Sequence, residues 1–306
     1  MKKTIITAFF AAAAFSAAAQ VVNASAPRLV DGVTAESSAI SPDGSFLVVN
    51  TADGLKRIAF DDHSAKVVAT APGASKLAVS ADGKNVIYRL NHYDASHMRT
   101  VSLESVTLDN GTMATLVAPT RNLAAGISTA RGTVTAVADG RTVVCATGSS
   151  ETSGKLRRAP EAATPVATIN YGHLDITIGA DTKTLDPLGV GSYLWPSINP
   201  DGNRILFYFV GRGAFTCALD GSDVQPVNAQ IVQPVWAGND VVIGTITTDD
   251  GLNFLSGALT AVSVADGATQ RLTPDSIIAL EPSCSRDGSR AIFTTPAGQV
   301  YTMTLR

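Results

Sequence analysis

Short apolar, β-rich runs alternate with small polar turns along this chain, and one turn keeps returning. Ser41-Pro42-Asp43-Gly44 recurs as Ser80-Ala81-Asp82-Gly83, Asn199-Pro200-Asp201-Gly202 and Ser285-Arg286-Asp287-Gly288. Each copy leads within two or three residues into a β-rich run: Phe46-Leu47-Val48-Val49, Val86-Ile87-Tyr88, Ile205-Leu206-Phe207-Tyr208-Phe209 and Ala291-Ile292-Phe293. The first two turns lie about 40 residues apart, the spacing of a four-stranded propeller blade. Their chemistry fits a tight reversal: Asp hydrogen-bonds nearby amides, Gly takes positive φ without a steric penalty, and the leading Ser or Asn can cap the turn.

The first unit divides into four strands separated by turns at Asp43-Gly44, Asp53-Gly54 and 61–64, an antiparallel meander. Continuing in this way gives six units at approximately 39–70, 76–118, 123–186, 194–228, 232–273 and 280–306. The third is degenerate. Either Thr133-Val134-Thr135 opens its first strand, with Asp139-Gly140 as the turn, or Ala125-Gly126-Ile127 is that strand and Arg131-Gly132 the turn; the first choice better matches the repeated pattern. The sixth unit stops after three strands, while a spare β-like segment at 27–31 has no local partner. Pairing the two closes the ring and removes a free sheet edge. The sequence therefore predicts an all-β, six-bladed propeller over 20–306, with the last blade closed by an N-terminal strand.

Composition and the chain start add a compartment. Lys2 and Lys3 precede an apolar stretch that ends in Ala17-Ala18-Ala19, so 1–19 reads as a secretory signal peptide. That stretch is shorter than the ~20 residues of a membrane span. No cysteine precedes Cys145, which excludes a lipidated cysteine at the cleavage site. The expectation is an exported periplasmic or extracellular monomer with no transmembrane segment. Without Lys2 and Lys3 the chain has 21 basic against 26 acidic residues, a net charge of about −5. A nucleic-acid partner would require a basic patch, which is missing. Cys145, Cys217 and Cys284 form no disulfide framework and read as small packed thiols.

The turn and its lead-in resemble the TolB-type, WD-repeat-like propellers, whose blades carry Pro-x-x-Ser-x-Asp-Gly-x-x-Ile. The best matches begin at Pro196 and Pro282, with those at Ser41 and Ser80 next. The resemblance covers nearly the whole chain after 19 and implies the fold. Such propellers serve as periplasmic protein-binding modules, as accessory domains of peptidases and, less often, as carbohydrate-active enzymes. The chain departs from the pattern in units three and five and has no room for the N-terminal α/β domain of TolB itself.

No hydrolase elbow, zinc-peptidase helix, Cys-x-x-Cys pair or phosphate-binding glycine loop occurs, and no cofactor or metal is expected. The densest candidate cluster is His92, Tyr93, Asp94 and His97, on a loop predicted to lie beside the central channel. It reads as a ligand-contacting loop or as a solvated one. Tyr193, Trp195 and Arg212 are the other ligand-binding candidates of that face, together with an insertion at 148–165. Asp43, Asp82, Asp201 and Asp287 are read as structural, on the opposite face, and Gly44, Gly83, Asp139, Gly140, Gly202 and Gly288 are read with them as structural turn residues. The function expected is a non-catalytic binder of another envelope protein or a peptide. The alternative is a carbohydrate-binding or carbohydrate-active propeller that uses the His92–His97 loop.

Overall fold

The computed structural model describes residues 20–71, 73–129, 133–146, 164–179 and 181–306. The expected leader (1–19) and most of the 148–165 insertion lie outside them. The chain forms a six-bladed β-propeller. After β1 (Arg28–Thr34), blade one is β2 (Ser37–Ile40), β3 (Phe46–Thr51), β4 (Gly54–Ala59) and β5 (Ala65–Ala69). Blade two is β6 (Ser75–Val79), β7 (Asn85–Tyr93), β8 (Arg99–Thr107) and β9 (Met113–Thr120). Blade three holds β10 (Thr133–Ala138), β11 (Arg141–Ala146), β12 (Val166–Asn170), β13 (His173–Ile178) and β14 (Asp181–Thr184). Blade four is β15 (Tyr193–Ile198), β16 (Arg204–Phe209), β17 (Gly213–Ala218) and β18 (Gln225–Asn228). Blade five is β19 (Ile231–Ala237), β20 (Val241–Asp249), β21 (Phe254–Ser263) and β22 (Thr269–Arg271). Blade six is β23 (Leu280–Cys284), β24 (Arg290–Thr294) and β25 (Gln299–Thr304), completed on the outside by β1.

The core is divided among the blade interfaces, because each twisted sheet buries both faces against its neighbours. Phe46, Val48 and Leu55 of blade one meet Val79, Val86 and Tyr88 of blade two. Leu47, Val49 and Ile58 turn the other way, towards Val30, Ile292 and Val300 of the closing blade. Strand β3 is buried along its whole length, since alternate side chains serve different interfaces. Fully burying a large apolar side chain is worth ~1.5–3 kcal/mol, so the interfaces carry the fold.

Blade three solves the same problem with two part-sheets. Strands β10 and β11 contribute Val134, Ala136 and Cys145 to the cluster shared with Leu103 and Leu116 of blade two. Ala167, Leu174 and Ile176 instead pack on Tyr193, Ile205 and Phe207 of blade four. Between the halves runs segment 123–128. Leu123 bridges to Ala138, Ser128 to Thr135, and Ala125 to Ile169 of β12. Its ends are tied to blade two, because the Arg89 guanidinium donates to the carbonyls of Leu123 and Ala124 and the Ala81 amide donates to Thr129 (3.1 Å).

This arrangement corrects the preferred reading of the third unit. The segment parallel to the innermost strand of blade two is 123–128, not Thr133–Ala138. Asp139-Gly140 is a two-residue hairpin loop between β10 and β11, with both residues at positive φ (49° and 71°). The Asp139 amide donates to the Asn122 carbonyl, and its carboxylate accepts from Thr120 (2.7 Å). It therefore sits at the end of the ring opposite the turns of Asp43, Asp82, Asp201 and Asp287.

Those other turns share one hydrogen-bond circuit. The hydroxyls of Ser41, Ser80 and Ser285 donate to Asp43, Asp82 and Asp287 at 2.7, 2.6 and 2.7 Å. Each hydroxyl also accepts the amide five residues on, from Phe46, Asn85 or Arg290. Each aspartate accepts the amide two residues on, from Ser45, Lys84 or Ser289. In blade four Asn199 takes over, its Oδ1 accepting the amides of Asn203 and Arg204. At Gly288 a β-carbon would lie 2.5 Å from the Ala237 carbonyl carbon, so glycine is needed for blade five to approach blade six.

The circuit holds the Asp82 carboxyl below its ordinary value of 3.8, chiefly through the Ser80 hydroxyl. At Asp43 and Asp287 desolvation opposes the shift, yet the hydrogen bonds from Ser41 and Ser285 and the following amides still leave both lowered. A depressed folded-state pKa contributes stability that is present above the unfolded value and lost as pH falls through the folded one. Asp82→Ala is expected to lower stability by about 1 kcal/mol, a few degrees in Tm at neutral pH. The deficit should shrink as pH falls below 3.8. Equal melting temperatures at neutral pH, or a deficit unchanged in acid, would contradict this role.

Candidate functional site

The face opposite the Ser-x-Asp-Gly turns carries the loops between second and third strands and the starts of the innermost strands. Two hairpins stand above the rest. Strands β7 and β8 have 9 residues each, and β20 and β21 have 9 and 10, against 6 for β16 and β17. Three further residues add about 10 Å of reach. Blades two and five stand across the ring from each other, so the hairpins flank the channel mouth from opposite sides.

The candidate cluster belongs to the first hairpin. His92 and Tyr93 are not loop residues but end β7, paired with Thr100 and Arg99. The tip then folds on itself. The Asp94 carboxylate accepts the amides of Ser96 (2.8 Å) and Met98 (2.9 Å), and His97 takes φ 58° with its amide donated to the Asp94 carbonyl. His92 Nε2 is 2.8 Å from the Ser102 hydroxyl. Asp94 thus shapes the turn, while Tyr93 (64 %) and Met98 (45 %) are left exposed. Among the described residues no group of three His, Cys, Asp or Glu is placed to hold a metal ion.

Tyr193, expected to meet a ligand, is instead buried completely. Its hydroxyl donates to the Gly189 carbonyl and accepts the Leu188 amide, each at 2.9 Å, and its ring packs edge-on against Phe209. It staples the connector into blade four. Arg212 is exposed but lies over the rings of Phe209 (5.7 Å) and Phe215 (5.5 Å). Trp195 is half-buried, its indole 5.1 Å from the Tyr208 ring.

The innermost strands also repeat a bulge with a left-handed residue. Four residues before Ser80, Asn199 and Ser285, the ladder slips by a bulge at Lys76, Trp195 and Glu281, which take φ 52°, 49° and 48°. Gln233 does the same in blade five (φ 52°), and Gly126 takes φ 100° in segment 123–128. Pro196, Pro234 and Pro282 follow three of these residues, where a missing amide leaves no ladder bond unmade. The proline was the only visible signal. Apart from Gly126, none of these residues is of the Gly or Asn type that announces positive φ.

At the channel mouth these residues meet across blades. Lys76 Nζ lies 3.7 Å from Glu281 Oε1, joining blades two and six over blade one. The Glu281 amide donates to Gln233 Oε1 (2.9 Å). Glu36, exposed at the start of blade one, accepts from Asn50 Nδ2 (2.9 Å).

A second pair sits on blade three. His173 Nδ1 is 2.6 Å from Asp186 Oδ2, whose other oxygen accepts the Leu174 amide. The hydrogen bond and charge of Asp186 raise the His173 pKa above 6.5. A raised value contributes stability below the unfolded pKa and loses it as pH rises through the folded one. A proton-NMR titration should place His173 above 6.5, and Asp186→Asn should return it to that value or lower. An unchanged midpoint in the variant would show that Asp186 is not the cause.

Burial pushes the Cys217 thiol up to about 11, and Cys145 is also buried, its thiol donating to the Leu116 carbonyl (3.3 Å). No helix among the described residues is long and apolar enough to cross a membrane.

No protein-family model matches the sequence, and no curated protein matches it. Solved structures do resemble it. The Cps50 (Swd1) β-propeller of Myceliophteria thermophila superposes with a TM-score of 0.62 at 11 % identity, over 90 % of this chain and 98 % of that one. The WD40 propeller domain of Doa1 gives 0.60 at 14 %, over 89 % and 92 %. A TolB-type protein from Agrobacterium tumefaciens gives 0.52 at 17 %, over 89 % and 90 %. At these identities the likeness is one of fold: the chain is built as the WD40 and TolB-type propellers are.

Proposed function

We propose that this protein is an exported, non-catalytic propeller that binds another envelope protein or a peptide on its loop-rich face. The observation that carries this reading is where exposed apolar side chains lie. Of 13 large hydrophobics exposed among the described residues, nine are on that face: Tyr93, Met98, Tyr171, Val190, Leu194, Val210, Leu252, Phe254 and Leu255. Scattered apolar residues are ordinary on a protein surface, but their concentration on one face marks an interaction site. Leu252 (92 %) and Leu255 (62 %) crown the second hairpin, facing Tyr93 and Met98 across the ring. Loops on a rigid scaffold are where recognition is normally placed. Export rests on the leader-like 1–19, and the compartment is that of the cell envelope.

Among the candidates for catalysis, the Asp94 carboxylate caps its own turn and His92 is bonded to Ser102, so no observation favours a reaction at that loop. The test is affinity capture from the cell envelope with wild type and a Tyr93→Ser/Leu252→Ser/Leu255→Ser variant. The variant should keep its melting temperature and lose at least about tenfold of the recovered partner, the scale of truncating hot-spot anchors. Equal recovery would refute binding on this face.

A further inference from the structure

Gly126 shows that glycine suits the inner-strand bulge, yet four blades place Lys76, Trp195, Gln233 and Glu281 there, in a backbone region that L side chains disfavour. Strained backbone of this kind gathers where side chains are used. Packing does not explain the charged members, since the Lys76 and Glu281 side chains are 67 % and 45 % exposed. We infer that the ring of bulge residues at the channel mouth is a binding site for the end of a neutral glycan chain.

The chemistry of the four side chains selects that ligand. A pyranose offers an apolar C–H face and a rim of hydroxyls, each both donor and acceptor. The half-buried Trp195 indole supplies an aromatic platform, held by a tilted contact with the Tyr208 ring at 5.1 Å. Glu281 supplies an acceptor and Lys76 a donor. Their separation of 3.7 Å is longer than a tight charge-assisted bond, so the pair is loosely engaged and open to hydroxyls. Gln233 uses its Oε1 on the Glu281 amide, which leaves its carboxamide N–H groups to donate. Acidic sugars are disfavoured, because Glu36 on the intervening blade adds a second carboxylate to that of Glu281, while the Arg89 guanidinium is engaged by the carbonyls of Leu123 and Ala124. A peptide needs a run of apolar seats, and most of those on this face lie on the hairpin tips.

The site is independent of the protein-binding reading, and the test keeps the two apart. Isothermal titration calorimetry would use maltohexaose, cellohexaose and laminarihexaose as neutral probes, with hexagalacturonate as the anionic one. At least one neutral probe should bind saturably, and hexagalacturonate should not. Trp195→Ala and Lys76→Ala/Glu281→Ala should each weaken binding by about tenfold or more, the worth of an aromatic stacking face in the first case and of a hydrogen bond to a charged group in the second. Leu252→Ser, on the hairpin, should leave it unchanged. Lys76→Gly should weaken binding while holding or raising Tm, because glycine relieves the backbone. The inference is overturned if no neutral probe binds at about 10 mM, a concentration that detects even millimolar affinity. It is equally overturned if the doubly substituted protein binds as wild type does, or if hexagalacturonate binds as well.

Discussion

Every blade of this ring depends on the pairing of β1 with β25. A propeller blade is buried only if it has a neighbour on each side, so an open ring would expose two apolar sheet faces and a strand edge. Here the chain start supplies the outer strand of the last blade, with Arg28 opposite Thr302 and Leu29 opposite Tyr301. The seam extends past the strand. Asn23 and Arg306 exchange backbone hydrogen bonds at 2.6 and 2.9 Å, and the amides of Val21 and Val22 donate to Gln270 Oε1. Val30 meanwhile enters the interface between the first and last blades, beside Leu47 and Ile292. Closure, termini and core are one contact.

Much of this was legible in the sequence because the repeated turn has a local cause. A Ser hydroxyl, an Asp carboxylate and a Gly at positive φ complete their circuit within six residues, so the pattern at Ser41, Ser80 and Ser285 can be read without tertiary knowledge. The missing strand of the sixth unit and the spare one at the chain start explained each other for the same reason. Blade three was not legible. Its Asp139-Gly140 has the right letters but is a two-residue hairpin, and only the pairing of Ser128 with Thr135 reveals which segment lies innermost.

The site was legible only in outline. The sequence placed its candidates on the face that carries the long hairpins, and the protruding β7–β8 hairpin was visible as a polar interruption at 91–97. It could not show that Tyr193 would be consumed by Gly189 and Leu188, or Asp94 by its own turn, since those partners are set by the fold. Lys76, Gln233 and Glu281 were missed because nothing in their chemistry announces a left-handed backbone. The partnership of His173 with Asp186 depends on the connector after β14 returning beside β13, which no local pattern encodes.

The two ends of the ring therefore differ in build. One end holds the turns that tie blade to blade, and the other carries long hairpins, exposed apolar tips and the bulged mouth. Site-directed photo-crosslinking in intact cells tests that division most directly, with p-benzoylphenylalanine at Val210 or Leu252 on the loop face and at Lys84 or Asn203 on the Asp-Gly face. All four positions are exposed. Discrete adducts should form from Val210 and Leu252 and not from Lys84 or Asn203. Adducts from the Asp-Gly face alone, or equally from both faces, would contradict the account.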